Sequence, residues 1–355
     1  MNYEFFRSRC HGIAVGMGVA SLVASFAIPE TSQAGARVVV KLATVAPTGT
    51  PWADSLDQIK KRIESESKGN IQVKAYMGGQ LGGELEITQG IKRGRIEGGG
   101  VTAGALASVI PELDVLEIPY LFESYEEADY ILDEHLYEPF KKIFANKGFI
   151  LASWAENGWR NIGTKKNVIR KPSDLKGVKV RSQESKAHLA FWKRMGANPV
   201  PISMPETLTA LQTGLVDGFD NTALLTLSAE WHTAIKHFSV TEHIYQSAAI
   251  LYSKKFWDKI SPEDQKIIFG NGKQLAIESR AAVRAIGQEL IGVLQTSGIK
   301  IETLTESEKA EFRKSVDGLA DEIVKVVGGD ARRIYDAVLE GKKQFKEKKS
   351  AGKKQ

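Results

Sequence analysis

The sequence predicts an α/β protein with two lobes, each built from strands and helices. Runs of branched apolar residues alternate with amphipathic helical patterns along almost the whole chain. This alternation is typical of a parallel or mixed sheet with helices on both faces. The chain also leaves the first lobe near residues 154–160 and returns near residues 247–253. Two such crossings would form a hinge, and 355 residues are enough for two domains with proper cores.

The N-terminal segment has the pattern of a secretory signal peptide. Arg7 and Arg9 precede an uncharged run over residues 13–28, and the small residues up to Ala34 suit a signal peptidase. The uncharged run is shorter than the ~20 residues that a membrane span needs. We therefore expect residues 1–34 to be removed and the mature protein to be exported, with no membrane span of its own.

Cysteine and charge content exclude several classes of function. The only cysteine, Cys10, lies in the expected signal peptide, so the mature protein would have no disulfide and no cysteine-based metal or nucleophile site. The last fifteen residues hold seven lysines and one glutamate and contribute +6 to the net charge of +5. Phe345 is the only aromatic residue among those lysines. We therefore expect residues 341–355 to form a solvated, frayed tail that does not bind nucleic acid.

Strands and helices alternate regularly in the first half of the chain. Thr50 suits the cap of a helix with Pro51 in its first turn, and Trp52 and Leu56 begin its apolar face. The pattern predicts strands over 36–45, 71–76 and 148–154, helices over 51–67, 84–94 and 124–148, and a short buried run over 113–122.

The second half continues the alternation. The expected strands cover 160–166, 178–181, 215–220, 244–253 and 299–305, and the expected helices cover 185–196, 205–214, 222–238, 307–327 and 330–348. A long helix over 261–298, with a Gly-Asn-Gly interruption, could run across both lobes. We assign lobe I to residues 35–156 plus 248–285 and lobe II to residues 157–247 plus 286–340.

Motifs for catalysis or for metal binding are missing from the sequence. It contains no GxSxG, HExxH or GxxxxGK[ST], and its six histidines follow no ligand spacing, so each is interpreted as a satisfied surface or core residue. Gly98, Gly100 and Ala103 formally match a dinucleotide-binding fingerprint. No long phosphate-facing helix follows them, so close backbone packing explains these glycines better. We expect no enzymatic activity and no cofactor or metal.

Three polar residues are candidates for holding a small ligand. Arg160 and Arg181 lie at the two ends of one candidate hairpin, and Asn221 follows the strand LVDGFD. An arginine at a strand end can meet a carboxylate with two parallel hydrogen bonds, although a solvated arginine is the commoner case. We expect these three residues to converge on one ligand in the crevice between the lobes.

Several aromatic residues are candidates for the walls of that crevice. Trp52, Trp159 and Phe219 are predicted ligand-binding residues, while Trp154 and Trp231 are further possibilities. Each of them alone is more often a core residue. Together they would allow an apolar or aromatic body on the ligand.

The motifs KPSDLKGVKVR and ALQTGLVDG resemble those of the substrate-binding subunits of tripartite ATP-independent periplasmic (TRAP) transporters of the dicarboxylate-binding (DctP) type. The similarity covers nearly the whole mature chain and includes KLATVAPTGTPW and IPYLFESYEEA. It implies a periplasmic-binding-protein-like fold of two α/β lobes, and an Arg181 that pairs with the ligand carboxylate while Arg160 and Asn221 support it. It also implies a periplasmic location and membrane permease subunits as partners.

The sequence departs from the pattern of that family at several positions. Ser182 and Gln183 follow Arg181, where an apolar residue and a proline are usual, and Phe219-Asp220-Asn221-Thr222 follows VDG in place of the usual residues. Residues 101–107 carry no charge, which disfavours a ligand of the sialic acid type.

We therefore expect a periplasmic solute-binding protein that captures a small organic acid between two lobes and delivers it to a TRAP permease. Two alternatives stay open. The first is an extracytoplasmic binding protein or sensor for a larger apolar or lipid-like ligand, and the second is an exported enzyme on the same scaffold.

Overall fold

The computed structural model describes residues 36–352, which contain a single mixed sheet of nine strands. The strands are β1 (Val38–Ala43), β2 (Ile71–Tyr76), β3 (Gly98–Thr102), β4 (Phe149–Thr164), β5 (Lys179–Ser182), β6 (Asn198–Pro201), β7 (Gly218–Asn221), β8 (His237–Ser253) and β9 (Lys300–Thr303). Their order across the sheet is β2-β1-β3-β8-β4-β7-β5-β6, and β9 pairs with β8. The expected signal peptide, with Cys10, lies outside the described residues.

Helices cover the sheet. They are α1 (Pro51–Glu66), α2 (Glu84–Arg93), α3 (Ala103–Leu106), α4 (Tyr125–Tyr130), α5 (Tyr137–Lys147), α6 (Lys186–Arg194), α7 (Thr207–Thr213), α8 (Ala223–Ser228), α9 (Lys254–Trp257), α10 (Pro262–Phe269), α11 (Gly272–Thr296), α12 (Glu306–Ser315), α13 (Leu319–Val327) and α14 (Ala331–Gly352). A π-helical turn over Ile131–Leu136 joins α4 to α5. Among the described residues, no helix combines the length and the apolar composition that crossing a membrane would require.

The two longest strands connect two groups of shorter ones. β4 and β8 run antiparallel to each other. The last residues of β8 pair with β3, which leads to β1 and β2, whereas its first residues pair with β9. The end of β4 pairs with β7, which leads to β5 and β6. This arrangement confirms the predicted α/β fold with two lobes and crossing strands. The lobe boundaries assigned from the sequence stay a prediction.

The first helix shows how local sequence determines the elements. The Thr50 hydroxyl accepts a hydrogen bond from the Ala53 backbone N–H at 3.3 Å, and Pro51 occupies the first turn, as predicted. Trp52 and Leu56 are buried, and Ile63 continues the same apolar face. Burial of this face against β1 and β2 fixes the helix on the sheet.

The glycines of β3 allow close backbone packing. A Cβ atom on Gly99 would lie 2.2 Å from the Ala43 carbonyl oxygen, and one on Gly100 would lie 2.3 Å from the Trp52 ring. Neither distance is possible for a real side chain. A Cβ atom on Gly98 would likewise lie 2.8 Å from the Leu251 carbonyl oxygen, so the interpretation of Gly98 and Gly100 as packing residues is confirmed.

The long helix predicted near the C-terminal third is divided in two. α10 ends before Gly270, whose φ of 61° and ψ of −137° lie in a region that favours glycine. α11 then packs against β4, α8 and α1. Arg284 of α11 donates hydrogen bonds of 2.9 and 2.6 Å to Glu156 of β4 and also binds Asp129. These hydrogen bonds hold α11 against β4 next to the point between Glu156 and Gly158 where the pairing of β4 with β8 is irregular.

Several local predictions were wrong. Arg160 and Arg181 do not belong to one hairpin, because β7 lies between β4 and β5. The strands expected over 148–154 and 160–166 form the single strand β4. The helix expected over 222–238 ends at Ser228, and the helix expected over 307–327 divides at Gly318. In contrast, the short buried run expected over 113–122 is confirmed, because all of its residues except Tyr120 are buried, and it begins within a 3₁₀ helix, Pro111–Glu117.

The C-terminal tail also differs from its prediction. Instead of fraying after residue 340, α14 continues to Gly352. The Lys342 ammonium donates a hydrogen bond of 2.7 Å to the buried Glu127 carboxylate, and the Phe345 ring lies 5.8 Å from that of Tyr130. These contacts with α4 stabilise the lysine-rich end of the helix.

Candidate functional site

A cavity with about 420 Å³ of empty space lies where β1, β3, β4, β5, β7 and β8 meet. Fifteen residues line it, and nine of them are polar or charged. The charged ones are Glu84, Arg160 and Arg181. Residues from both sides of the crossing strands contribute to the walls, so the cavity lies between the two lobes.

The sheet brings the three predicted polar residues together. Arg160 lies on β4, Asn221 on the neighbouring β7 and Arg181 on β5, and all three line the cavity. Asn221 is fixed by its Oδ1, which accepts a hydrogen bond of 2.9 Å from the Thr222 backbone N–H. Its Nδ2 donates no hydrogen bond within the described part of the chain.

Arg181 presents a buried positive charge to the cavity. Its side chain is 3% exposed, its Nε donates to the Ile202 carbonyl oxygen at 2.8 Å, and its Cζ lies 5.3 Å from the centre of the Trp231 ring. Within residues 36–352 its terminal nitrogens make no hydrogen bond and no ion pair. Burial, together with the positive charge of Arg160, lowers the pKa of Arg181 to about 10. The guanidinium therefore stays charged at neutral pH and is open to an anion.

Arg160 is different, because its charge is already balanced. Its Nε donates a hydrogen bond of 2.5 Å to Asp220 Oδ2, and Nη2 donates to the Asp220 carbonyl oxygen. Both side chains are buried. Burial alone would raise the pKa of Asp220, but the charge of Arg160 and a hydrogen bond from His243 hold it well below its usual value. Arg160 keeps its Nη1 for a ligand without adding net charge.

The predicted aromatic residues are not all at the cavity. Trp52 lines it, and its Nε1 donates to the Glu156 carbonyl oxygen at 2.9 Å. Phe219 is fully buried and packs against Trp231 with ring centres 4.9 Å apart, outside the cavity wall. Trp159 packs on Tyr125 and lines a separate groove. Of these three predictions, only Trp52 is placed to touch a ligand in this cavity.

A hydrogen-bonded row of polar side chains forms the wall that the sequence did not predict. Glu84, at the start of α2, accepts 2.7 and 2.8 Å hydrogen bonds from the backbone N–H and hydroxyl of Thr102. Gln183 donates to the Thr102 hydroxyl at 2.6 Å and accepts from Gln246 at 3.0 Å. Asn157 donates to Gln246 at a longer 3.4 Å. No local sequence pattern marks these residues as cavity residues, because tertiary packing brings them together.

The pKa values of Glu84 and Asp220 shift in opposite directions. Burial raises the pKa of the Glu84 carboxyl above its usual value and outweighs the two hydrogen bonds from Thr102. The charge of Arg181 acts in the opposite direction but is weaker, and Glu84 forms no ion pair among the described side chains. The cavity therefore holds one carboxyl group whose charge is only partly compensated.

A buried polar cluster supports Arg160 from behind. Asp220 accepts from His243 Nε2 at 3.2 Å, and the His243 ring stacks on Phe191. His188 Nε2 lies 2.7 Å from the Glu117 carboxyl. Both histidines are core residues with polar partners, in agreement with their interpretation from the sequence. No group of three or more potential metal ligands occurs in the described ranges.

Glu117 and His188 form a neutral pair. Burial raises the pKa of the Glu117 carboxyl well above its usual 4.5 and lowers the pKa of the His188 imidazole well below its usual 6.5. The proton therefore stays on the carboxyl group between the two residues. A neutral pair avoids placing another negative charge beside Asp220.

Glu117→Gln is expected to flatten the pH dependence of stability. The folded protein keeps the Glu117 proton to a higher pH than the unfolded chain, so this residue makes wild-type stability fall as pH rises above about 4.5. Glutamine carries no such proton. Melting temperatures measured from about pH 5 to about pH 8 should therefore decline less for the variant. The exposed Glu138→Gln variant serves as a control, and parallel profiles for Glu117→Gln and wild type would contradict the neutral pair.

Two relatives and one solved structure show what the chain resembles. It is 31% identical over 258 residues to a solute-binding protein of Verminephrobacter eiseniae, covering 73% of this chain and 76% of the relative. It is 26% identical to the 2,3-diketo-L-gulonate-binding periplasmic protein of Escherichia coli K12, covering 78% and 84%. A TRAP periplasmic solute-binding protein of Polaromonas sp. JS666, solved with D-erythronate, has a TM-score of 0.79 at 28% identity, covering 85% and 98%.

The two-lobed fold and its interlobe cavity are those of a solute-binding protein. More specifically, the chain belongs to the bacterial extracellular solute-binding protein family 7, whose DctP model matches residues 42–326. The similarity to TRAP substrate-binding subunits, predicted from the sequence motifs, is thereby confirmed.

Proposed function

We propose that this protein captures a small organic acid in the interlobe cavity and delivers it to a TRAP permease, with Arg181 as the group that pairs with the ligand carboxylate. One observation supports this proposal most strongly. Arg181 is a buried cation without a carboxylate partner within the described residues, and it lines the cavity. An unpaired buried charge costs free energy, which an anionic ligand would recover.

The same charge gives a reason for ligand-dependent closure. When the lobes separate, water solvates Arg181, and closure without a ligand removes that water. A bound carboxylate replaces the lost hydration with two charge-assisted hydrogen bonds. Contacts that exist only in the closed form then shift the population towards it. Arg160 Nη1 and Asn221 Nδ2 would add further hydrogen bonds to the ligand.

Known relatives support an acid as the ligand. The Polaromonas protein was solved with D-erythronate, and the Escherichia coli relative is a 2,3-diketo-L-gulonate-binding protein. Both compounds carry a carboxylate. A large apolar ligand, the alternative left open by the sequence, has less support because nine of the fifteen lining residues are polar or charged.

Location and partners follow from the same proposal. A family of extracellular solute-binding proteins acts outside the cytoplasmic membrane, so we infer that residues 1–34 direct export to the periplasm. The membrane subunits of a TRAP permease would receive the ligand there. The protein binds its ligand without turnover, so that transport requires no catalytic group of its own.

The function is tested by titration of the mature protein, residues 35–355, with paired ligands. Native mass spectrometry identifies any acid that copurifies, and calorimetry compares that acid with its primary amide. We expect the acid to bind about 30-fold or more tightly than the amide. Recovery of the acid unchanged after prolonged incubation supports binding without turnover. Equal affinity for acid and amide would rule out the carboxylate clamp.

A further inference from the structure

We propose that the cavity selects a polyhydroxylated acid with a single carboxylate and rejects dicarboxylates, and that Glu84 makes this distinction. The inference rests on the proposed function, because it concerns the same cavity. It assigns the chemistry of the ligand's second end, which the clamp at Arg181 leaves undetermined.

The first step is the count of cations that are available to a ligand. Among the described residues, the arginines that line the cavity are Arg160 and Arg181. The buried carboxylate of Asp220 pairs with Arg160, with both side chains at most 1% exposed. Arg181 is therefore the only lining cation that has no carboxylate partner in the described part of the chain. One free guanidinium matches one ligand carboxylate.

The second step is the position of Glu84. Glu84 lines the cavity, and its carboxyl group is held in place by the Thr102 backbone N–H at 2.7 Å and by the Thr102 hydroxyl at 2.8 Å. The Gln183 amide lies 3.4 Å away. A carboxylate fixed in this way accepts a hydrogen bond from a ligand hydroxyl, but it repels a second ligand carboxylate.

The third step concerns the uncharged amide side chains that line the rest of the cavity and can form hydrogen bonds with a ligand. Among the described residues, Asn221 Nδ2 has no acceptor and Asn157 Oδ1 has no donor, although both residues line the cavity. The side chain of Gln246 lies between Asn157 and Gln183 and keeps one N–H free. Hydroxyl groups both donate and accept, so a chain of them satisfies such a mixed wall, whereas a carboxylate only accepts.

These three features distinguish the ligand classes by charge and by hydrogen bonding. A polyhydroxy monocarboxylate places its anionic end on Arg181 and its hydroxyl groups along Glu84 and the amides. A dicarboxylate of the same length would bury its second anionic group next to Glu84 without a cation to meet it. Like charges brought together in a desolvated site lower affinity strongly.

The experiment compares probes that are matched in carbon number. Calorimetry on the mature wild-type protein would use D-erythronate, tartrate and succinate as the four-carbon set, and gluconate, glucarate and adipate as the six-carbon set. Tartrate and glucarate keep hydroxyl groups but add a second carboxylate. We expect the monocarboxylate of at least one set to bind roughly 100-fold more tightly than its two dicarboxylate partners.

The role of Glu84 is tested with Glu84→Gln and a matched control. Glutamine keeps the size and the acceptor for the Thr102 N–H but removes the charge, so the preference for monocarboxylate over dicarboxylate should narrow by about tenfold. Glu86→Gln removes an exposed charge from the same helix and should leave the preference unchanged. If Glu84→Gln does not fold, Thr102→Val, which removes the hydroxyl that orients Glu84, takes its place.

The possible outcomes separate the inference from the proposed function. A dicarboxylate that binds wild type as tightly as its monocarboxylate partner overturns the inference but leaves the carboxylate clamp intact. An unchanged preference in Glu84→Gln and in Thr102→Val overturns the role of Glu84. Failure of every carboxylate to bind wild type would overturn the proposed function itself, and the inference with it.

Discussion

Replacement of Arg181 by methionine is expected to reduce the affinity for a carboxylate ligand by roughly 100-fold or more, because a buried charge pair loses one partner. The Arg181 guanidinium carbon lies 5.3 Å from the centre of the Trp231 ring, and a methionine side chain can pack on that ring in its place. The ligand-free variant should melt at the same temperature as wild type or higher, because the substitution removes a buried cation that has no carboxylate partner in residues 36–352. Opposite effects on binding and on stability distinguish a ligand-binding residue from a structural one.

Calorimetry and thermal melting of the same preparations measure both effects. Arg181→Lys keeps the charge but loses the planar fork, so it should bind with intermediate affinity. Arg194→Met is the control, because Arg194 pairs with Glu322 on the surface and does not line the cavity. A melting temperature of Arg181→Met well below that of wild type, together with unchanged affinity, would assign Arg181 to the fold rather than to the site.

The sequence predicted the class of fold because its signals are local. Alternating buried runs and amphipathic helices, with Thr50 and Pro51 at a helix start, determine elements that the structure retains. The prediction of two separate strands, where the structure has the single strand β4, failed for a physical reason. Glu156, Asn157 and Gly158 interrupt the apolar pattern, yet Arg284 pairs with Glu156 and the amide of Asn157 has a partner in Gln246. Tertiary contacts that no local pattern reveals allow a polar stretch to continue as a buried strand.

The candidate site was predicted in part. Arg160, Arg181 and Asn221 line one cavity, although the predicted hairpin does not exist. Phe219 was chosen because it is aromatic and close to the motif, but it packs on Trp231 in the core. Its neighbour Asp220 is the residue that holds Arg160. A buried arginine needs a buried counter-charge, and the acidic residue within VDGFDN was the signal that could have indicated it.

Glu84 could not be assigned from sequence. It lies on α2, far from both arginines along the chain, and reaches the cavity only because α2 packs beside β3. The Gly82-Gly83 pair lets the chain turn there so that Glu84 begins the helix. Its hydrogen bonds with Thr102 then hold its carboxyl group in place. Only the packing of helix on sheet establishes this position.

Asp220→Asn is expected to destabilise the folded protein by about 3–5 kcal/mol at neutral pH, because Arg160 would stay buried without its counter-charge. Denaturant unfolding measures this loss. The double variant Arg160→Met with Asp220→Leu removes both charges and should recover most of the stability, since an apolar pair of similar volume replaces the ion pair. If the double variant has as low an unfolding free energy as Asp220→Asn, the ion pair itself is strongly stabilising.

The pH dependence of the same variant gives an independent check on the ion pair. Arg160 holds the pKa of Asp220 well below its usual 3.8, so the folded protein keeps this carboxylate ionised at a pH where the unfolded chain has begun to protonate it. Its contribution to stability is fully present above about pH 4 and is lost as the pH falls towards the lowered pKa. The difference in unfolding free energy between wild type and Asp220→Asn should therefore narrow on acidification below about pH 4. A difference that stays constant as the pH falls would mean that the charge of Asp220 does not stabilise Arg160, and that the hydrogen bond to its backbone carbonyl alone fixes the guanidinium.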